Sequence, residues 1–360
     1  MITLFLFACV WICTSRGTFK TSAILTYLFF LFLVLTAVFR IDSLYLLPIA
    51  AVYGAFAIAA ILRPWSAVEG NKHRDSVKRW WKHPRELFGY RIINVLLFFV
   101  PLPVLSWIGG KVLEMVGPKI KKRQRIMRDN LEKTIPECAN DEFMRRVWNN
   151  WGRSFVEGLK YRTYRRHMNK YITFRDRDMF FKYPQFILTM PHYGYMGIMS
   201  LAFVNTDYKL AVAYRGASNP LTDKVILQNY GYGCVKEVSF FPTGNAMPIV
   251  RALRNGETIN INSDQRFHGA PYINFMGMPA QTSTGLAQLA RKFDLPVLMG
   301  HVERTHGAHH EIVFDEFIQI PHTDNAEADE LAGMELVNAA TERVIRAKPD
   351  EYLWIHNRWA

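Results

Sequence analysis

The chain has 360 residues, half of them hydrophobic, 21% charged and 14% aromatic, with 44 Lys and Arg against 31 Asp and Glu for a formal charge of +13. That composition excludes a disordered chain, which is poor in apolar and aromatic residues, and four cysteines are too few for a small disulfide scaffold. A mean hydropathy of −0.02 averages two unlike parts, one greasy and one charged.

Residues 1–62 carry only four charges, Arg16, Lys20, Arg40 and Asp42. Ala23–Phe39 and Leu44–Leu62 are long apolar blocks, and a spanning helix needs about 20 such residues. Ile2–Cys13 is a shorter third block, so the segment 1–62 is expected to hold two or three transmembrane helices. No Lys or Arg precedes the first block, which argues against a cleaved signal. Cations crowd the chain directly afterwards, at Arg63, Lys72, Arg74, Lys78, Arg79, Lys82, Arg85 and Arg91. Basic residues flanking a span stay on the cytoplasmic side, so the main domain is expected in the cytoplasm with Cys138 and Cys234 reduced.

Residues 63–118 read as a basic, Trp-rich interfacial segment and a membrane-associated helix. Trp65, Trp80 and Trp81 alternate with Lys and Arg, a pattern suited to lipid headgroups. A solvated linker whose tryptophans pack on the next domain is the alternative. Ile92–Trp107 is apolar, but Pro101 and Pro103 argue against a straight spanning helix. Lys119–Arg128 then supplies six cations in ten residues. No nucleic-acid reader fold accompanies them, so an anionic membrane surface or an acidic protein is the expected partner, and nucleic acid is not.

Residues 119–360 read as an α/β domain. Helical patterns occupy 119–133, 140–165, 220–229, 246–255 and 284–293. Between them lie β-like runs at Gln185–Met190, Lys209–Tyr214, Thr258–Asn262, Pro296–Val302 and Glu311–Ile320. The alternation predicts a central, mostly parallel sheet flanked by helices. The sequence has no phosphate-binding GxxxxGK[ST], no GxSxG nucleophile elbow and no zinc-ligand spacing. His306, His309 and His310 are read as a solvated hairpin rather than a metal site, and neither metal nor cofactor is expected.

Six segments, in order, carry a resemblance: Lys121–Pro136; Phe186–Gly194 (FILTMPHYG); Ala213–Leu221, with Tyr214-Arg215 and Asn219-Pro220-Leu221; Arg254–Gln265, with RNGE and SDQ; Asn274–Gly300, with AQTSTG and LARKFDLPV; and Glu351–Trp359 (EYLWIHNRW). Together they resemble the bacterial lipid A late acyltransferases, the lauroyl/myristoyl transferases of the lysophospholipid-acyltransferase-like superfamily, over roughly residues 90–360. The resemblance implies a glycerol-3-phosphate-acyltransferase-like fold at the bacterial inner membrane. It implies transfer of a fatty acyl chain from acyl carrier protein, or CoA, to the hydroxyl or amine of an envelope lipid such as a lipid A precursor. The +13 charge suits both an acidic carrier protein and anionic lipid.

In that family a His of an HX4(D/E) motif is the general base, a task suited to a neutral imidazole. His192 matches it. The motif acid, which orients the ring, does not match: the position holds Gly197, and no carboxylate occurs between Pro191 and Asn205. Two readings follow. Either another carboxylate replaces the acid, or the protein is a catalytically inactive relative that binds lipid or a partner enzyme. Asp264 is the leading substitute, expected to accept a hydrogen bond from His192, with a turn or helix cap as its alternative role. Glu237 and Glu257 are weaker candidates. Arg215, Asn219, Gln265 and Arg304 match family positions and are expected to contact substrate, Arg215 through a planar fork suited to phosphate or a thioester carbonyl.

Overall fold

In this computed structural model the described residues are 99–214, 223, 227, 231, 234–242 and 247–359, all within the compact unit Arg74–Ala360. The expected spans in 1–62 and residues 63–98 lie outside them, as do Arg215, Asn219 and most of the helical pattern at 220–229. Among the described residues no helix is long and apolar enough to cross a membrane.

The described chain opens with helix α1, Leu102–Val116. Pro101 and Pro103 do not break it; they start it. Pro101 is the N-cap and Pro103 lies in the first turn, where a missing N–H loses no hydrogen bond. Helix α2, Lys121–Thr134, carries the basic run, and α3, Asp141–Gly158, follows. The Asn140 side chain caps α3 by accepting from the Phe143 N–H at 2.9 Å, satisfying one of the free donors of the first turn.

Among the described residues seven strands form the central sheet. They are β1 (Ile172–Arg175), β2 (Ile187–Thr189), β3 (Leu210–Tyr214), β4 (Val238–Pro242), β5 (Thr258–Asn260), β8 (Val297–His306) and β9 (His309–Ile318), in the order β1-β9-β8-β2-β5-β3-β4. From β8 to β4 the strands are parallel, while β9 hairpins back on β8. The sheet is thus mostly parallel, as the alternating pattern predicts. A separate hairpin, β6 (Tyr272–Phe275) with β7 (Met278–Gln281), stands beside it.

Alternate residues of the central strands feed two different cores. Ile187, Ala211, Ile259 and Val297 pack on one face with α2, α3, α5 (Gly285–Phe293) and α6 (Ala326–Ala347). Leu188, Leu210 and Leu298 pack on the other with the 3-10 helix Met196–Phe203. A sheet buried on both faces needs continuous apolar strands, and ILT, LAVAY and VLMG supply them. Helix α4, Met247–Arg254, leads into β5. Strand β5 then lies between β2 and β3, so the chain crosses back beside β2. Open α/β sheets bind ligands outside the carboxyl ends of strands at such a crossing, and β2 leads straight to His192.

Candidate active site

His192 follows β2 by three residues, and Asp264 follows β5 by four. Adjacent parallel strands therefore deliver both side chains to the same end of the sheet. The Asp264 carboxylate takes two hydrogen bonds from the one histidine. The His192 backbone N–H donates to Oδ2 at 2.7 Å, and ring Nδ1 meets Oδ1 at 2.7 Å. Asp264 is 3% exposed while the His192 side chain keeps 27% of its surface, so the acid is sealed and the ring reaches the solvent side. The expected hydrogen bond between the two is present, and Asp264 caps no helix; it caps the loop that carries the histidine.

Burial raises the Asp264 pKa, but the histidine's charge and hydrogen bonds, with the nearby Arg358 charge, hold it below the ordinary carboxylate value. Burial likewise pushes His192 down, yet its charge interaction and hydrogen bond with Asp264 leave it raised above the ordinary histidine value. With Asp264 ionised, the proton of the neutral ring sits on Nδ1, and Nε2 carries a lone pair. Gln265 Nε2 lies 3.2 Å from that atom, donating to it in this tautomer. Chemically this is a base with a fixed tautomer and a buried carboxylate behind it.

Gly197, at the place of the motif acid, is buried in the 3-10 helix Met196–Phe203, and its carbonyl accepts the Ser200 hydroxyl at 2.7 Å.

The C-terminal tail braces the site, a role the EYLWIHNRW segment did not disclose as sequence. Leu353 N–H donates to the His192 carbonyl at 3.0 Å, and Gly194 N–H donates to the Glu351 carbonyl at 3.1 Å. The tail thereby pairs antiparallel with the His192 loop across a Tyr193–Tyr352 bridge. Gly194 has φ of +53°, and a Cβ there would lie 2.4 Å from the Val302 carbonyl oxygen, so only glycine fits this turn. Further along, Arg358 is 1% exposed and donates to the Gln281 carbonyl and Thr282 Oγ1 at 2.5 and 2.6 Å.

Other expected residues lie elsewhere. The Arg304 side chain is engaged away from His192. It sits inside β8, 7% exposed, with both terminal nitrogens on the Glu157 carboxylate. Its fork is occupied by Glu157 within the protein. His310 is no solvated loop residue either: it is buried, with Nε2 3.1 Å from Glu157 Oε2, and burial drives its pKa down despite that carboxylate. His306 and His309 do flank the turn, stacked 4.2 Å apart. Among the described residues no group of His, Cys, Asp and Glu is arranged to hold a metal. Glu237 approaches the Asn205 N–H at 3.3 Å, and the Glu257 carbonyl receives Gln185; Asp264 is the carboxylate on His192. Cys138 and Cys234 are both free thiols.

Known proteins resemble this chain over the same region. The family described as bacterial lipid A biosynthesis acyltransferase matches residues 75–360. The lipid A biosynthesis palmitoleoyltransferase of Escherichia coli (strain K12) is 24% identical over 302 residues, a match covering 78% of this chain and 94% of that protein. The lipid A biosynthesis acyltransferase of Shigella flexneri matches to the same extent, 24% over 302 residues.

Proposed function

Because the chain belongs to the bacterial lipid A biosynthesis acyltransferase family, we propose that this acyltransferase moves a fatty acyl chain from a carrier-protein or CoA thioester to a hydroxyl or amine of a lipid A-type acceptor. His192 Nε2 takes the proton from the acceptor hydroxyl as its oxygen attacks the thioester carbonyl. The C–O bond forms, the C–S bond breaks, and the sulfur leaves as a thiol carrying the proton that His192 returns. Asp264 holds the ring by Nδ1 and stabilises the imidazolium between the two steps. Gln265 marks the place of the acceptor hydroxyl, since its amide occupies Nε2 and has to give way to the substrate.

The observation that carries this reading is the doubly hydrogen-bonded His192–Asp264 pair. Gly197 on its own favours a binding-only relative. A carboxylate already on Nδ1 performs the orienting task that the motif acid would perform, so Gly197 does not require loss of catalysis. Arg215 and Asn219 remain our candidates for substrate contacts. Residues 1–62 would anchor the protein in the inner membrane, with 63–118 at its surface and 119–360 facing the cytoplasm, where the acidic donor is found.

The test uses the purified full-length protein with acyl carrier protein and CoA thioesters of several chain lengths, presented with a lipid A-type disaccharide in mixed micelles. Product should form with wild type and vanish with His192→Ala. No product from wild type above the His192→Ala background would sink the proposal in favour of the binding-only relative.

A further inference from the structure

Helix α1 turns most of its large apolar side chains outward. Its buried side carries Leu102 and Leu105 near the start and then only Ser106, Gly109 and Gly110, while Val104, Trp107, Ile108, Val112 and Met115 are exposed, Met115 to 68%. These five recur at intervals of three and four residues and form one stripe. The only charges on the helix, Lys111 and Glu114, pair with each other at 2.9 Å. A water-facing helix has the reverse arrangement.

The small inner face lets α3 come close. A Cβ on Gly152 of α3 would lie 2.2 Å from the Gly109 carbonyl oxygen. Beside this crossing α3 adds two more exposed apolar residues, Trp151 and Phe155, the latter 64% exposed. Soluble monomers rarely leave so contiguous an apolar surface uncovered.

We propose that the α1–α3 face lies in the headgroup-to-acyl boundary of an anionic phospholipid bilayer, with α1 parallel to the membrane plane. At 15 residues, or about 22 Å of helix, α1 is too short to cross a hydrocarbon core of about 30 Å. Trp107 and Trp151 have the amphipathic rings that favour this layer. Directly after α1 come Lys119, Lys121, Lys122 and Arg125, all exposed, which complement anionic headgroups. Directly before it the sequence is apolar from Ile92 to Val100, and further upstream lie the blocks 23–39 and 44–62. An apolar stripe bordered by cations and continuous with apolar chain fits a lipid surface better than a protein partner, whose rim would need matched polar pairs.

The face is tied to the catalytic loop through the interior. Ser106 of α1 donates to Glu157 Oε1 at 2.6 Å, and Glu157 grips Arg304. The Arg304 N–H donates to the Glu351 carboxylate at 3.1 Å, and the Glu351 carbonyl receives Gly194 N–H, two residues beyond His192. A bilayer seated on α1 is therefore held in a fixed relation to the base, which suits an acceptor that never leaves the membrane.

Full-length protein lacking its native cysteines (Cys9, Cys13, Cys138 and Cys234 to alanine) takes a nitroxide at Val112→Cys, Met115→Cys or Phe155→Cys, with Glu335→Cys as the water-exposed reference. Vesicles contain phosphatidylethanolamine with phosphatidylglycerol, or phosphatidylcholine alone. On the anionic vesicles the ratio of oxygen to nickel-chelate collisions at the three face positions should exceed that at residue 335 several-fold, and it should drop on phosphatidylcholine. Nickel access equal to that at residue 335 overturns the proposal. So does shielding from both reagents, which would mean a protein covers the face, and so does an equal ratio on both vesicle types. Acyl transfer by the labelled protein is assayed separately, so this inference and the His192 chemistry fail independently.

Discussion

Asp264 accepts two hydrogen bonds from His192, one from the backbone N–H and one from the ring, each 2.7 Å long. The carboxylate therefore fixes the loop and the imidazole at once, and it needs both oxygens to do so. An amide in its place offers one acceptor and one donor to two donors.

Asp264→Asn should consequently hold the loop through its oxygen and turn its NH2 toward Nδ1. The ring then takes the tautomer with its proton on Nε2, which cannot accept one from substrate. A loss of about 10³- to 10⁴-fold in kcat is expected from the wrong tautomer, with KM nearly unchanged. Steady-state kinetics at saturating donor decide it, and a loss under tenfold would contradict the assignment.

The pH dependence follows from the same pair. With His192 as the proposed neutral base, activity should fall as pH drops through its folded pKa, which lies above the ordinary value of about 6.5. Stability runs differently. The raised His192 pKa contributes stabilisation that is complete below the unfolded value and is lost as pH rises through the folded one. The lowered Asp264 pKa contributes above its unfolded value, and that contribution is lost as pH falls through the folded one. These are two views of one interaction, present in full between the unfolded carboxylate and histidine values. A kcat/KM profile should show an acid limb that moves to lower pH in Asp264→Asn, in whatever activity remains. Denaturation midpoints from pH 3 to 9 should peak on the acid side of the activity optimum.

Gly197→Glu recreates the family motif in sequence but should not raise activity. Residues 197–203 are all buried in an apolar layer, and Nδ1 already has its carboxylate. An unpaired acid forced into that layer costs several kcal/mol or stays protonated. The expected outcome is a lower denaturation midpoint and no gain in turnover. A faster enzyme would instead show that the site works as a weakened form of the motif.

Much of this was legible in the sequence. Apolar runs long enough to be buried on both faces marked β2, β3, β5 and β8 to within one to four residues at their ends, and FILTMPHYG placed His192 at a strand end. Short or alternating segments escaped, among them β1 (ITFR), β4 (VSFFP) and the β6–β7 hairpin. Their burial depends on neighbours distant in the chain. Strand β9 begins at His309, not Glu311, because two adjacent histidines look like loop while His310 is sealed against Glu157. The tail contacts on His192 were equally hidden, since they run through backbone atoms that no side-chain pattern reports. Asp264 could be suspected from its place after TININ, but the pair of hydrogen bonds to one histidine is a property of the sheet register.

The α1–α3 crossing depends on absent side chains. Gly152→Val would drive a side chain into the Gly109 backbone, where even a Cβ comes within 2.2 Å. Backbone cannot yield as a flexible side chain can, so the helices must separate. Overpacking of this kind costs about 1–3 kcal/mol. Urea denaturation followed by tryptophan fluorescence should show it, since Trp148 and Trp151 both lie on α3. An unchanged midpoint would mean that α1 is not held where it stands.

Glu157 is the hinge of the interior. Its carboxylate is fully buried between Arg304 and His310, accepts the Ser106 hydroxyl, and is held well below the ordinary carboxylate value because the Arg304 charge and the interactions with Arg304 and His310 outweigh its burial. Glu157→Gln leaves the Arg304 guanidinium buried without a counter-charge. Removing one partner of a buried pair typically destabilises by about 3–5 kcal/mol. Replacing both, as in Glu157→Leu with Arg304→Met, should be milder than Glu157→Gln alone, because no charge is stranded. That order distinguishes an interior ion pair from a substrate-binding arginine. If Arg304 served substrate, Arg304→Met alone would raise KM while leaving the denaturation midpoint in place. The structure predicts the opposite, a large fall in midpoint and a KM, in the folded fraction, close to wild type.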